Sequence, residues 1–439
     1  MKSHQINPTR AQRREIGQAC RTKARRIDQG KWSAKQRDFD IVELLLRSQR
    51  GRIPELLPIK WGHMKASPFG FYRGAVPLMA ADLAPLPRTE LMAQLCGDAH
   101  VQNLGAFEAP DGRLIFDIND FDETILGPWE WDVKRMSASL VLAGREAGDS
   151  EKSCRNAVLA FARNYRGSMH RFSSMAFVDL ARFQIYREID LLRGVLLKAE
   201  RATPMHNLQK LTFERGGKYI FHDQKPTQFH ISQKEADAAK ASLPAYTAAL
   251  LPERAHFFRQ YRVEDVCFRV VGTGSVGLRD YVLLMFGGAT SDPLFLQIKE
   301  EPASAYAPYL PHSPVAAHQG QRTAEGGRAM QMQSDIFLGW TSIAGHHYVV
   351  RQLRDHKAAI EEDDLKGAGL VDYAEMCGEL LSKGHARSGD PCAIAGYLGN
   401  NDKFDEAMAN FGITYADQTE KDWQVFKQAI RNGKLSASL

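Results

Sequence analysis

One stretch decides the fold: LMAQLCGDAHVQNLGAFEAPDGRLIFDINDFDET, residues 91–124. It contains two short apolar runs separated by the letters APDG at 109–112, a composition typical of a tight turn. The pattern predicts a β-hairpin with loops rich in Asp and Asn at its two outer ends. Because a hairpin brings its ends together, we expect the side chains of Asp98, Asn103 and Asp120 to converge.

These three side chains suggest a metal-dependent transfer reaction. Carboxylate and amide oxygens are the protein ligands that Mg²⁺ accepts, so Asn103 and Asp120 are the predicted metal ligands. The remaining carboxylate, Asp98, is predicted to orient a hydroxyl for attack on phosphorus. An Asp followed five positions later by an Asn is also the spacing of the protein-kinase catalytic loop. Ordinary helix caps and turns are the alternative, since Asp, Asn and Gly are common there.

A second motif, GTGSVG, lies at 272–277. A dinucleotide site of this pattern requires a helix after the last glycine. Here the letters LRDYVLLMF follow, and they predict a strand; after a further turn, LFLQIKEE predicts another strand that carries Lys299. Glycine permits close approach of a backbone to phosphate, and a lysine on an apolar strand needs a negatively charged partner.

The residues predicted to bind the phosphates of a nucleotide follow from this second motif. A carboxylate from the helix predicted within 314–335 is the expected ion-pair partner of Lys299, and Glu325 is the candidate there, although Glu300 and Glu301 are closer in sequence. A serine-hydrolase elbow is excluded because position 273, two residues before Ser275, is Thr. The predicted cofactor-binding residues are Gly272, Gly274, Ser275, Gly277 and Lys299, together with Glu325 as the partner of Lys299.

Composition favours a globular protein. The chain has 439 residues, with 57 Lys and Arg against 52 Asp and Glu, a formal charge of +5. The six cysteines form no C-x-x-C pair, and no apolar run reaches the ~20 residues that span a bilayer, so we expect a cytoplasmic protein without a membrane partner. Basic residues are concentrated in the segment that ends at Arg37, and we interpret this arm as a charged helix face rather than a nucleic-acid site.

Several longer motifs together resemble a known family. They are SPFGFYRG, GDAHVQNLG, FDINDFDET, GPWEWDVKR, GTGSVGLRDY, LFLQIKE, YVVRQLRD, HARSGD and YADQ. The chain resembles the bacterial domain-of-unknown-function family 2252, which is related to the protein-kinase-like superfamily. GDAHVQN is also similar to the His-Gly-Asp-x-x-x-x-Asn loop of aminoglycoside phosphotransferases and choline kinases, with Cys96 at the position of the His.

The resemblance implies an α+β fold with the two lobes of a kinase. Kinases place the glycine loop and its lysine before the catalytic Asp, whereas here Asp98 precedes Gly272. A circular permutation accounts for this order. It predicts a helical catalytic lobe from residues 1–245 and 356–439, with a small β-rich nucleotide-binding lobe at 246–355. The segment LLSKGHA, which ends at Ala386, resembles the helix that precedes the catalytic loop in small-molecule kinases.

The function implied by the resemblance is an ATP- and Mg²⁺-dependent phosphotransferase. Its acceptor is a hydroxyl on an unknown small molecule or protein. Transfer of AMP and a non-catalytic nucleotide-binding scaffold are the alternatives. Asp132 resembles the helix-start Asp that braces the catalytic loop, although an ordinary N-terminal helix charge explains it equally well. Arg351 and Asp355 are interpreted as hinge residues without an assigned role.

Overall fold

A computed structural model describes residues 8–184, 190–201, 203–270, 272–353 and 365–438. Helices and strands are both abundant in these ranges, so the predicted α+β class is confirmed. The predicted hinge residue Asp355 lies outside the described residues. None of the helices within these ranges is long and apolar enough to cross a membrane.

The helices fall before, between and after the strands. The first group is α1 (Arg10–Ala19), α2 (Ile41–Ser48), α3 (Leu57–Ala66), α4 (Pro68–Gly74) and α5 (Val76–Leu83). The central group is α6 (Glu130–Glu146), α7 (Glu151–Ser174), α8 (Phe177–Arg182), α9 (Asp190–Arg201), α10 (Pro204–Leu211), α11 (Gln233–Ala241), α12 (Leu243–Ala249) and α13 (Pro252–Phe258). Helix α14 (Gln319–Met330) lies before the last two strands, and the group after the strands is α15 (Ala368–Ser388), α16 (Pro391–Leu398) and α17 (Lys403–Arg431).

The strands form one large sheet and three two-stranded ribbons. The ribbon strands are β1 (Met92–Leu95), β2 (Leu104–Glu108), β3 (Leu114–Ile118), β4 (Ile125–Pro128), β5 (Thr212–Arg215) and β6 (Lys218–Phe221). The sheet strands are β7 (Gln228–His230), β8 (Arg262–Arg269), β9 (Asp280–Phe286), β10 (Pro293–Glu300), β11 (Gly339–Ile343) and β12 (His346–Gln352). Their order in the sheet is β11-β12-β10-β9-β8-β7, with every neighbouring pair antiparallel.

The decisive stretch forms two nested ribbons. β2 and β3 pair as the predicted hairpin, with Leu104 opposite Ile118, so that prediction is confirmed. β1 and β4 pair outside it, with Leu95 opposite Ile125. The loops at 96–103 and 119–124 therefore lie side by side between the two ribbons.

The helical part has its core around α6, which is buried along almost its whole length. α7, α15 and α17 pack around it, so the C-terminal helices complete a core that begins in the first third of the chain. Trp129 and Trp131, at the start of α6, are fully buried. Burial of a large apolar side chain contributes roughly 1.5–3 kcal/mol, so α6 is a stable platform for the loops beside it.

The end of α15 adjoins β1. The Gln94 N–H donates to the Ser388 hydroxyl at 3.1 Å, although the two residues are 294 positions apart. Gly389 follows, and a Cβ built there would lie 3.0 Å from the Met92 carbonyl oxygen and 3.0 Å from the Ala93 Cβ. A side chain here would be tightly packed against β1, so glycine favours this close approach of the two segments.

The large sheet has two differently covered faces. On one, Tyr246 of α12 and Phe258 of α13 pack with Leu283 and Leu296. The other face is covered by residues that precede position 246, the predicted start of the small lobe. Leu208, Leu211 and Phe221 pack there with Cys267, Val282, Leu284 and Phe295. The residues that pack on the large sheet therefore begin near α10, because β7 extends the sheet and α10 covers one of its faces.

Candidate functional site

A cavity of about 620 Å³ lies where the helical part meets the large sheet. Residues from both predicted motifs line it, which brings together segments that are far apart in the chain. From the hairpin loops come Asp98, Asn103, Asp120, Asp122 and Glu123; from the glycine loop come Gly272, Thr273, Gly274 and Ser275.

The loop at 96–103 is held by the start of α6. Asp132 accepts hydrogen bonds from the backbone N–H groups of Cys96 at 2.8 Å and Gly97 at 3.0 Å, and His385 Nε2 lies 3.3 Å from its Oδ2. Gly97 has φ +83°, and a Cβ there would lie 2.2 Å from the Glu123 carbonyl oxygen. Asp132 therefore braces the loop of Asp98, which is the role that the resemblance to kinases implied for it.

Asp98 is fixed by a buried cation. Arg135 Nε donates to its Oδ1 at 2.7 Å, and the Arg135 guanidinium, itself fully buried, lies 4.3 Å from the Tyr72 ring centroid. Burial raises the pKa of Asp98 from 3.8 to about 6; Arg135 opposes this shift, while Glu123 and Asp120 add to it. A carboxylate with a pKa close to neutrality is suited to proton transfer.

Asn103 and Asp120 lie next to Asp98. Asn103 Nδ2 donates to the Asp98 carbonyl oxygen at 2.7 Å, which fixes the orientation of the amide. Asp120 Oδ1 accepts the Asp122 N–H at 3.4 Å. Asp98, Asn103 and Asp120 thus line the same cavity.

Lys299 joins the sheet to these loops. Its buried ammonium group forms an ion pair with the Asp122 carboxylate. Burial acts to lower the pKa of Lys299, but the charges of Asp122, Asp120 and Glu301 outweigh burial and raise it above the ordinary value. The second carboxylate oxygen of Asp122 is buried and has no hydrogen-bond partner among the described residues.

The structure corrects the predicted pairing of Lys299 with Glu325. Glu325 is exposed and accepts a hydrogen bond from Gln321 at 2.8 Å. Glu301 is a buried acid from outside the hairpin whose charge acts on Lys299, and it accepts the Thr323 hydroxyl at 3.0 Å. Helix α14 therefore presents Thr323, not Glu325, toward the acids around Lys299.

Three further polar residues share the sheet face of Lys299, and of them only Arg351 was noted in the sequence. Gln297 Nε2 donates to Asp280 Oδ2 at 2.8 Å, and Arg351 Nε donates to Gln297 Oε1 at 3.0 Å. Burial raises the pKa of Asp280 to about 6, although Lys299 opposes this shift. The signal in the sequence was the two-residue spacing of Gln297 and Lys299, which places both on one face of β10.

The glycine loop is anchored from the N-terminal helices. Lys60 Nζ donates to the Gly274 carbonyl at 3.0 Å, Arg52 Nη1 to the Val276 carbonyl at 2.6 Å, and the Ile53 N–H to the Gly277 carbonyl at 2.7 Å. Gly277 has φ +92°, and Gly272 has φ +73°. Gly274 needs neither a positive φ nor close packing, since a Cβ there would meet no atom within 4 Å.

The predicted site residues therefore fall into two sets. The first set shares the cavity directly or through Asp122: Asp98, Asn103, Asp120, Gly272, Gly274, Ser275 and Lys299. Gly277 ends the loop behind it, and Glu325 lies outside. Sequence reasoning missed Arg52, Lys60 and Arg135; a lysine within LLPIKWG, an otherwise apolar segment, was the available signal.

The basic arm at the N-terminus is used within the fold. Arg21 donates to the Tyr397 carbonyl at 2.9 Å and Arg26 to the Leu398 carbonyl at 2.6 Å, at the C-terminal end of α16. Arginines at a helix C-terminus satisfy its last carbonyls and its negative dipole end. These cations therefore stabilise α16.

A metal ion would need more than acidic side chains at this site. Within the described ranges, no three His, Cys, Asp or Glu side chains are arranged to hold one. Mg²⁺ is commonly bound by one or two carboxylates together with substrate phosphates and water. Asn103 and Asp120 form a partial ligand set of this kind, which substrate phosphates and water would complete.

Comparison with known proteins identifies the family. No curated protein and no solved structure matches the chain. Residues 52–429 match the family described as "Uncharacterized protein conserved in bacteria (DUF2252)", a span that holds both motifs and the C-terminal helices. The chain therefore belongs to the bacterial DUF2252 family.

Proposed function

We propose that this chain is an ATP- and Mg²⁺-dependent phosphotransferase with a circularly permuted, two-lobed kinase-like fold. One observation carries the proposal: Lys299, on β10, the second strand after the glycine loop, pairs with Asp122 beside the predicted catalytic and metal-binding side chains. A phosphate-binding lysine and a metal-binding acid are adjacent in kinases for the same chemical reason, since both contact the same phosphates.

The permutation is supported by the contact between α15 and β1. Ser388, at the end of α15, hydrogen-bonds β1, which leads into the loop of Asp98. In an unpermuted kinase the helix before the catalytic loop is followed directly by that loop. Here the two elements adjoin in space although 294 positions separate the bonded residues.

The glycine loop would cover the phosphates. Gly272 and Gly277 are required by their backbone conformations, whereas the space beside Gly274 is empty of protein atoms. A phosphate can approach the backbone there without meeting a side chain. Lys299 would donate to the same phosphates from the sheet.

Asn103 and Asp120 would hold Mg²⁺. The fit rests on two observations: the Asn103 amide is held by its hydrogen bond to Asp98, and one buried oxygen of neighbouring Asp122 lacks a hydrogen-bond partner among the described residues. When bound, the metal would neutralise phosphate charge.

Asp98 would act on the acceptor hydroxyl. Arg135 fixes one of its oxygens, so the carboxylate keeps its orientation toward the cavity. As the acceptor oxygen forms a bond to phosphorus, the bond between that phosphorus and its bridging oxygen breaks and ADP leaves. The hydroxyl proton passes to the Asp98 carboxylate, whose pKa of about 6 leaves it ionised at pH 7.

A thermal-shift screen of nucleotides with and without Mg²⁺ tests the proposal. A nucleotide that binds only the folded chain raises the melting temperature. We expect ATP to do so with Mg²⁺, and Asp120→Asn to lose the metal-dependent part, while the matched Glu325→Gln responds as the wild type does. Label transferred from the γ-phosphate supports phosphoryl transfer; label from the α-phosphate indicates AMP transfer instead. Nucleotide binding without any transfer indicates a scaffold, and the absence of any nucleotide response contradicts the proposal.

A further inference from the structure

One wall of the cavity is basic. Five cations from the N-terminal helices and the turn after α2 line it: Arg47, Arg50, Arg52, Lys60 and Arg73. We call this set the basic wall. The hairpin loops contribute four acids to the same lining, so cationic and anionic side chains both border the cavity.

Two members of the basic wall are cations without acidic partners. Lys60 is buried and Arg52 is half-buried, and each donates to a carbonyl of the glycine loop. Within the described part of the chain, neither forms an ion pair with a carboxylate. Burial lowers the pKa of Arg52 to about 10, and burial together with the charge of Arg52 lowers the pKa of Lys60 well below its ordinary value. A negatively charged group would relieve both effects.

The basic wall and Asp98 line the same cavity. The charges of Glu123 and Asp98 act on Lys60, and Lys299 forms its own ion pair with Asp122. A ligand whose anionic group binds Lys60 would therefore share the cavity with Asp98. The two exposed arginines, Arg47 and Arg50, extend the positive charge outward along α2 and the turn after it.

We infer that the acceptor is a small anionic molecule whose phosphate or carboxylate groups bind the basic wall while its hydroxyl reaches Asp98. The inference rests on the proposed function and names its substrate class. A cavity of about 620 Å³ is the size of a small-molecule site. Guanidinium groups match the oxygens of phosphate and carboxylate, whereas a cationic acceptor such as an amine would be repelled.

Calorimetric titration of the full chain with inorganic phosphate, citrate and spermidine tests the inference. We expect phosphate or citrate to bind and spermidine not to bind. The double variant Arg47→Gln/Arg50→Gln removes two exposed charges and should weaken anion binding about tenfold or more. Arg52→Gln, which keeps a donor for the Val276 carbonyl, should weaken it as well. Arg431→Gln, an exposed change on α17, is the matched control and should have no effect.

A second titration distinguishes the acceptor from the nucleotide. With Mg²⁺ and a nonhydrolysable ATP analogue bound, phosphate or citrate should still bind the wild type. Anion affinities that are equal in the wild type and the double variant, tighter binding of spermidine, or loss of anion binding once the analogue is present would overturn the inference. If no nucleotide binds but the variants still lose anion affinity, the basic wall stands as an anion site and the phosphotransferase proposal fails.

Discussion

The ammonium group of Lys299 and the carboxylate of Asp122 form an ion pair although they are 177 positions apart in the chain. Lys299 lies on β10 of the large sheet and Asp122 in the loop between β3 and β4. The pair therefore joins the sheet to the hairpin, and its position fixes the glycine loop and Asp98 on the same cavity.

Lys299→Met should abolish the melting-temperature increase caused by Mg²⁺ and ATP. Methionine keeps most of the side-chain volume, but Asp122 loses its charged partner, so the free energy of unfolding should also fall by about 1–3 kcal/mol. Urea denaturation measures the second effect. Lys234→Met, on the exposed face of α11, is the control and should change stability by less than about 0.5 kcal/mol. A Lys299 variant with the wild-type nucleotide response would remove this lysine from the site.

Asp98→Asn should lower the transfer rate by about 10²–10⁴-fold, the usual contribution of a positioned base. Binding of Mg²⁺ and ATP should persist, because Asn103 and Asp120 are unchanged. Single-turnover kinetics with γ-labelled ATP separates the two effects. Asp111→Asn, in the exposed hairpin turn, makes the same chemical change away from the cavity and should keep the full rate. Equal rates for Asp98→Asn and the wild type would exclude Asp98 as the base.

The transfer rate should depend on pH through Asp98. Burial raises the pKa of this carboxyl to about 6, so below pH 6 it is protonated and cannot accept the hydroxyl proton. The rate should fall about tenfold for each pH unit below that value and level off above it. The range from pH 5 to pH 7 extends about one unit either side of this pKa. A transfer rate that stays constant over this range would contradict the assignment of Asp98 as the base.

The same group affects stability with a defined sign. The folded chain binds the Asp98 proton more tightly than the unfolded chain, since its pKa rises from 3.8 to about 6. Its contribution to stability is therefore complete below about pH 4 and is lost as the pH rises through about 6. Asp98→Asn should remove this part of the pH dependence in urea denaturation. An unchanged profile would show that Asp98 has an ordinary pKa.

Asp132→Ala should destabilise the loop of Asp98. The change leaves the buried N–H groups of Cys96 and Gly97 without their acceptor, at a cost of about 2–4 kcal/mol in the free energy of unfolding. Asp132→Asn keeps one acceptor oxygen and should cost less. Hydrogen exchange at these two amides measures the local effect. Protection unchanged in Asp132→Ala would exclude the bracing role.

Local patterns were sufficient to predict the elements that carry the site. The turn composition between β2 and β3 specified the hairpin, and the five-residue spacing of Asp98 and Asn103 placed both in one loop. Lys299 was identifiable because a charged side chain on an apolar strand must have a partner. Each of these inferences depends on residues close together in the chain.

Contacts set by packing could not be predicted in this way. Helix α14 lies against its neighbours through glycines: a Cβ at Gly326 would be 2.4 Å from Thr124 Oγ1, and one at Gly320 would be 2.0 Å from the Tyr348 carbonyl oxygen. This orientation turns Glu325 outward, and no local pattern around that residue indicates it. Lys60 and Arg52 reach the cavity only because α3 packs beside the glycine loop, a contact across more than 200 positions.

Calorimetric binding of a nonhydrolysable ATP analogue, with and without Mg²⁺, to the wild type, Asp120→Asn and Lys299→Met tests most directly whether the two distant loops form one site. The account predicts Mg²⁺-dependent binding to the wild type, loss of the metal dependence in Asp120→Asn and loss of binding in Lys299→Met. Wild-type protein that binds no analogue, or variants that both bind it as the wild type does, would contradict the account.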